Sequence, residues 1–202
     1  MTAAIPSRRE RKKLALREKI ASETLSLIAL HGVEGTTIDA ICDCSDIAKK
    51  TFYNYYSSKH DLLIDICQQQ LLDRSAELVQ TAISADTRLS QRLRHIIGEA
   101  KLRTLQAGKV EKQLIDYMVG NLSANMNQGA GQLTQMNQGY YRLFSDCESQ
   151  LRPGLNAEFC AEVTVGMMNA LTLNWLHDDS YDINDRYDHL LNYLLESMIQ
   201  QH

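Results

Sequence analysis

The chain has 202 residues, 44% of them hydrophobic and 23% charged, with only 2 Pro and 10 Gly. That length and composition suffice to bury a core and exclude a disordered, collagen-like or linker-dominated chain. A formal net charge of −4, from 21 Lys and Arg against 25 Asp and Glu, argues against a protein that coats nucleic acid by bulk charge.

Apolar residues recur at helical spacing along nearly the whole chain and no run alternates as a strand would, so an all-α fold is expected. The stretch from Arg8 to Lys19 is strongly basic and leads directly into the first helix, predicted from about Lys12 to His31. It has no apolar signal-peptide core, and no segment approaches the roughly 18 apolar residues of a membrane span, so a cytoplasmic protein is expected. Leu16, Ile20, Thr24, Leu27 and Ile28 share one face of this helix, and Gly32 supplies the left-handed residue that ends it. A short second helix starts at Thr36 or Thr37, with Asp39 in a capping-box-like position three residues after Thr36. The chain turns at Cys44-Ser45-Asp46-Ile47, and a third short helix, about Ala48 to Tyr55, points Phe52 and Tyr56 inward and Lys49, Lys50, Tyr53 and Asn54 outward.

Two short helices joined by such a turn form a helix-turn-helix, whose second helix enters the major groove of DNA. Lys49 and Lys50 suit phosphates or guanine edges, Asn54 suits adenine, and Thr51 or Tyr55 can touch a thymine methyl. Thr36, Thr37, Tyr53 and Lys59 suit phosphate oxygens, which position a protein without reading sequence. The charge map agrees, since residues 1–60 carry a net charge of +3 and the remainder −7. For the basic stretch, an arm into the minor groove stands beside a merely solvated tail and helix face.

From Lys59 a longer helix carries Leu62, Leu63, Ile66 and Leu71 toward about Gln80, as the connector between two halves. Further helices are predicted over about Arg88 to Ala107, Val110 to Asn125 and Gly131 to Leu151, with breaks at Gly108 and at Gly129-Ala130-Gly131. Pro153-Gly154 is a stop, Asn156 a cap, and two last helices run from about Ala157 to Leu176 and from Asp185 to about Gln200. The final helix carries more apolar surface than one stripe needs, which calls for a partner. The five cysteines contain no Cys-x-x-Cys pair, fit neither a disulfide scaffold nor a common zinc pattern, and are expected as reduced thiols. His177-Asp178-Asp179 reads as a helix-ending loop because three adjacent residues cannot easily converge on one ion. No phosphate loop, nucleophile elbow or metal motif occurs, so no enzyme, metal or cofactor is expected.

Residues 20–63, from Ile20-Ala21-Ser22-Glu23 through Thr51-Phe52-Tyr53-Asn54-Tyr55-Tyr56-Ser57-Ser58-Lys59-His60-Asp61-Leu62-Leu63, resemble the DNA-binding domain of the TetR/AcrR family of bacterial transcription regulators. Asp46 stands where that family usually has Gly, and Ala48 where it often has Ser. The resemblance implies a DNA-binding head over residues 1–58 and a helical effector-binding and dimerisation body over residues 59–202. It implies a homodimer on a palindromic operator, more often repressing than activating, and a small-molecule effector. The alternative is a ligand-blind adaptor or nucleoid-type DNA-binding protein. Effector candidates are Tyr117, Met118, Asn121, Tyr140, Phe144, Met167, Met168, Asn169 and Trp175, whose aromatic, thioether and amide groups suit an apolar pocket, although helix-spaced apolar residues are more often plain core. Dimerisation through the last two long helices would use Phe159, Val163, Met167, Ala170, Leu191, Leu194, Leu195 and Met198.

Overall fold

The computed structural model describes residues 7–124 and 126–200, without the side chains of residues 121–133 and 135. The described residues are all-α: α1 (Arg8–Gly35), α2 (Ile38–Ser45), α3 (Lys49–Tyr53), α4 (Lys59–Cys67), α5 (Arg74–Ala85), α6 (Leu89–Gln106), α7 (Lys109–Ala124), α8 (Met126–Ser145), α9 (Ala157–His177) and α10 (Ile183–Met198). A π-wound stretch, Gln68–Asp73, joins α4 to α5, and a 3₁₀ turn, Glu148–Gln150, follows α8. Among the described residues no helix is long and apolar enough to cross a membrane.

Two compact units divide the chain. Of the described residues, the first holds 7–68 with 108–118, and the second holds 69–107 with 119–124 and 126–200. The first unit thus takes in α4 and the start of α7. Leu62, Leu63, Ile66 and Cys67 of α4 are buried, and the start of α7 joins the same unit through buried Leu114, whose carbonyl accepts from the Cys67 thiol at 3.5 Å. The helix expected without interruption from Lys59 to Gln80 is instead helical through Ala85, with π winding where the units divide.

α1 begins four residues earlier than expected. The Ser7 hydroxyl accepts from the Glu10 amide while the Glu10 carboxylate accepts from the Ser7 amide, a capping box that holds the Glu10 carboxyl below the usual carboxylate range. Ile20, Thr24, Leu27 and Ile28 are buried as expected, and Thr24 satisfies its hydroxyl by donating to the Ile20 carbonyl. At Gly32 the backbone takes φ 75° and ψ 170°, a region essentially reserved for glycine. Beyond it Val33 turns inward, and its amide donates to Gln113 Oε1 at 3.0 Å.

The second unit is built on Leu89, Leu93, Ile96 and Ile97 of α6, packed with residues from α5, α8, α9 and α10. Buried Arg92 donates to the carbonyls of Ile83 and Asp86 and so closes the end of α5. Asn156 caps α9 as expected, its side chain accepting from the Phe159 amide. The break expected at Gly129-Ala130-Gly131 does not occur, because α8 runs through it from Met126. Glycine weakens a helix interior by about 1 kcal/mol without forbidding it, so the surrounding helix-forming residues prevail.

Candidate nucleic-acid interface

The turn between α2 and α3 ends in a Schellman motif. Ile47 N–H donates to the Cys42 carbonyl and Asp46 N–H to the Asp43 carbonyl, with Asp46 left-handed at φ 56° and ψ 52°. Asp46 thus occupies the conformation that glycine takes at lowest cost, and its side chain does not cap α3; the cap is Ala48, without a side-chain hydrogen bond. Fully buried Phe52 and buried Tyr56 anchor α3 against the unit's core. The Tyr56 hydroxyl donates to Asp65 Oδ2 at 2.8 Å, Arg17 donates to Asp65 Oδ1 at 2.7 Å, and the Arg17 guanidinium lies 5.7 Å from the Tyr56 ring centre. This network ties α1, the end of α3 and α4 together. Its hydrogen bonds to Tyr56 and Asp65 raise the Arg17 pKa, while burial pushes the Tyr56 phenol up.

With its inner face pinned, α3 presents Lys49, Lys50, Tyr53 and Asn54 to solvent, and Thr51 and Tyr55 lie half-buried beside them. Tyr53, at 53% exposure, is a large aromatic held outside the core. Thr37 is exposed and caps α2 by accepting from the Ala40 amide, which leaves its O–H to donate. Thr36 behaves differently from the expectation that it faces phosphate. It is 1% exposed and its hydroxyl donates to the Gly32 carbonyl at 2.8 Å, so it belongs to the fold. Lys59 is also committed: its ammonium donates to the Val33 and Thr36 carbonyls, both at 2.9 Å, satisfying the end of α1 and leaving one N–H for any phosphate.

Sequence reasoning also missed the partner of Lys49. Its ammonium lies 2.5 Å from Asp39 Oδ1, across from α3 to the first turn of α2, and this hydrogen bond raises the Lys49 pKa. Both side chains are exposed, so the pair adds little stability, but it neutralises a lysine at the head of α3. Asp39→Asn is therefore expected to strengthen binding to duplexes of any sequence. Titrating wild type and variant against two unrelated duplexes at several salt concentrations checks this, with a steeper salt dependence by about one counterion expected for the variant. A tighter grip on one duplex alone would instead make Asp39 a reader of bases.

Residues 20–66 match the family described as "Bacterial regulatory proteins, tetR family". The chain carries a TetR-family regulatory domain. No curated protein matches it. Among solved structures, the Thermus thermophilus FadR, a TetR-family repressor in complex with lauroyl-CoA, is 22% identical with a TM-score of 0.72, over 92% of this chain and 96% of that one. The Stenotrophomonas maltophilia SmeT, repressor of the multidrug efflux pump SmeDEF, gives 17% and 0.71 over 92% and 91%. NalD of Pseudomonas aeruginosa, secondary repressor of the MexAB-OprM multidrug efflux pump, gives 15% and 0.64 over 93% and 98%. The fold is thus of TetR type over about nine-tenths of the chain, and residues 20–66 carry the match to the family's regulatory domain.

In the TetR-type body, the effector candidates are not gathered in one unit. Tyr117 and Met118 belong to the first unit, where the Tyr117 hydroxyl is 2.7 Å from His60 Nδ1. Asn121 lies outside the residues whose side chains are described. Tyr140 and Phe144 are buried in the second unit's core, the Tyr140 hydroxyl donating to the Met168 sulfur at 3.1 Å, while Met167, Met168 and Trp175 pack half-buried around that core. Asn169 is half-buried on α9. Of the candidate dimer residues, Phe159 and Ala170 are exposed and Val163, Met167, Leu191 and Leu195 half-buried. Leu194 and Met198 are 0% and 3% exposed inside the chain's own core and cannot meet a partner. Tyr193 on α10 is also exposed, at 49%.

Proposed function

We propose that this protein is a ligand-responsive transcriptional regulator of the bacterial cytoplasm, a repressor that binds a palindromic operator as a homodimer and is released by a small molecule. The observation that carries this reading is the outward row Lys49, Lys50, Tyr53 and Asn54 on a helix whose inner side is fixed by Phe52 and Tyr56. Positioned donors on a rigid helix suit base edges in the major groove. Dimer binding would place two such helices about one turn of DNA apart, and an effector favouring another spacing would deplete the bound form. The repressor reading is supported by the repressors of the same fold, two of which control efflux pumps.

Selection of bound sequences from a random duplex library, at near-physiological salt, tests the reading. A palindrome is expected; sequence-blind retention would favour a nucleoid-type factor, and no retention an adaptor. On the selected duplex, Lys50→Ala with Asn54→Ala is expected to erode discrimination at one or two base pairs per half-site, by about 1–3 kcal/mol for each base no longer read. Competition against single-base variants of that duplex measures it. Undiminished discrimination would remove these two residues from base reading.

A further inference from the structure

Two polar groups in the interior of the second unit are poorly served by the fold. Asn137 is half-buried on α8, and its side-chain oxygen Oδ1 is wholly buried with no hydrogen-bond partner among the described residues. Tyr140, one turn further along α8, is 2% exposed, and its hydroxyl donates to the Met168 sulfur, a weak acceptor. Long side chains on a helix lean toward its N-terminus, so the Tyr140 ring lies over the turn that carries Asn137. By contrast Thr104, Thr164 and Thr172 of the same unit donate to carbonyls one turn back on their own helices, at 2.9, 2.7 and 3.0 Å. A buried acceptor left unpaired beside a mismatched donor destabilises the chain unless a group from outside completes both.

The two groups define what that group is. Asn137 Oδ1 requires a donor, and Tyr140 offers one; burial pushes the Tyr140 phenol up, which keeps its proton in place. One hydroxyl serves both, its O–H donating to Asn137 and its oxygen accepting from Tyr140. A carbonyl or ether oxygen would serve Tyr140 alone. Charge of either sign lacks a counterpart here. The buried charged side chain of this unit, Arg92, is held by the Ile83 and Asp86 carbonyls and lies 3.6 Å from Asp146, and no carboxylate is buried among the described residues. The surroundings suit an apolar body: Phe144 is fully buried one turn past Tyr140, and Met136, Met168 and Trp175 pack half-buried against the same core. Thioether chains rearrange at low cost and pack well on rings, so they can make room for a guest.

We infer that Asn137 and Tyr140 are the polar end of a binding site within the second unit, whose ligand is an uncharged, apolar molecule bearing one hydroxyl. The inference rests on the ligand-responsive reading above and names the chemical class of the effector.

The test uses the full chain, with its single tryptophan, Trp175, as the reporter. Its fluorescence is titrated at neutral pH with 4-alkylphenols from ethyl to hexyl and 1-alkanols from butanol to decanol, each beside its methyl ether and its carboxylic-acid and aminomethyl analogues. Saturable binding of at least one hydroxyl compound is expected, about tenfold tighter than its three analogues. Tyr140→Phe and Asn137→Leu nearly conserve side-chain size, and each should cut that preference by about 3–10-fold, as the loss of one hydrogen bond does. Urea denaturation supplies a readout that a purely structural role would move the other way: because the free chain leaves both groups poorly paired, both variants should be at least as stable as wild type. No saturable binding of any hydroxyl compound, equal affinity for the ethers, or a markedly destabilised Asn137→Leu would overturn the inference. Tighter binding of the acids or amines, with release of the selected duplex, would overturn it too while leaving a ligand-responsive regulator in place. A hydroxyl compound that binds as expected but leaves affinity for that duplex unchanged keeps the site and defeats the ligand-responsive reading.

Discussion

Gly32→Ala is expected to cost the first unit about 2–4 kcal/mol, from backbone strain and from hydrogen bonds pulled out of line. The backbone at this position, φ 75° and ψ 170°, is one that a Cβ-bearing residue adopts only under strain. An added Cβ would also stand 3.2 Å from Gln113 Oε1. That oxygen is the acceptor for the Val33 amide, so relieving the clash loosens the bond that ties the end of α1 to α7. The Gly32 carbonyl accepts from Thr36, and the Val33 and Thr36 carbonyls accept from Lys59, so one altered residue disturbs every link between the first helix and the entry to α2. Against the about 5–15 kcal/mol that holds a domain together, this is a large share. Urea denaturation of wild type and variant, followed by circular dichroism, measures it. A loss below about 1 kcal/mol, the usual difference between Gly and Ala at an unstrained site, would show that this turn relaxes freely.

The same turn shows what was legible in the sequence and what was not. Gly32 was readable as a helix end because glycine alone combines a positive φ with low cost, and Thr37 as a cap because its hydroxyl replaces a missing helical acceptor. The apolar faces of α1 and α3 followed from spacing. The start of α1 is equally legible, since Ser7-Arg8-Arg9-Glu10 is the capping-box pattern, although the basic residues around it are poorly suited to a helix N-terminus. Contacts between residues far apart in sequence left no local trace. Neither the Lys59 bonds to the α1 carbonyls nor the Asp39–Lys49 pair nor the Arg17–Tyr56–Asp65 network has a spacing rule, because each depends on how helices cross. The body was harder still. Its apolar residues are periodic on nearly every helix, and periodicity does not distinguish a core residue such as Phe144 from one facing a partner such as Phe159.

That distinction carries the second large prediction. Phe159, Val163, Gly166, Met167, Ala170 and Leu173 fall on one stripe of α9, and the stripe remains open in the single chain: Phe159 is 52% and Leu173 39% exposed, and nothing lies within 4 Å of a Cβ placed on Gly166. On α10, Leu191 and Leu195 are half-buried and Tyr193 is exposed, while the opposite residues Leu194 and Met198 close the chain's own core. In the proposed homodimer, these two exposed faces would form the twofold surface, and small residues such as Gly166 and Ala170 would let the backbones approach to about 8–10 Å. Ala170→Asp places a carboxylate at the middle of this surface. The isolated chain tolerates it, because Ala170 is exposed, but a dimer would have to bury an unpaired charge at a cost of several kcal/mol. Sedimentation equilibrium at micromolar concentration is therefore expected to show a folded monomer for the variant and a dimer for the wild type. Because one head alone loses the joint hold of two half-sites, affinity for the selected palindrome should fall by about 10² or more. A monomeric wild type, or a variant that still dimerises and binds fully, would move the interface elsewhere; dimerisation abolished with DNA binding intact would show that a single head suffices.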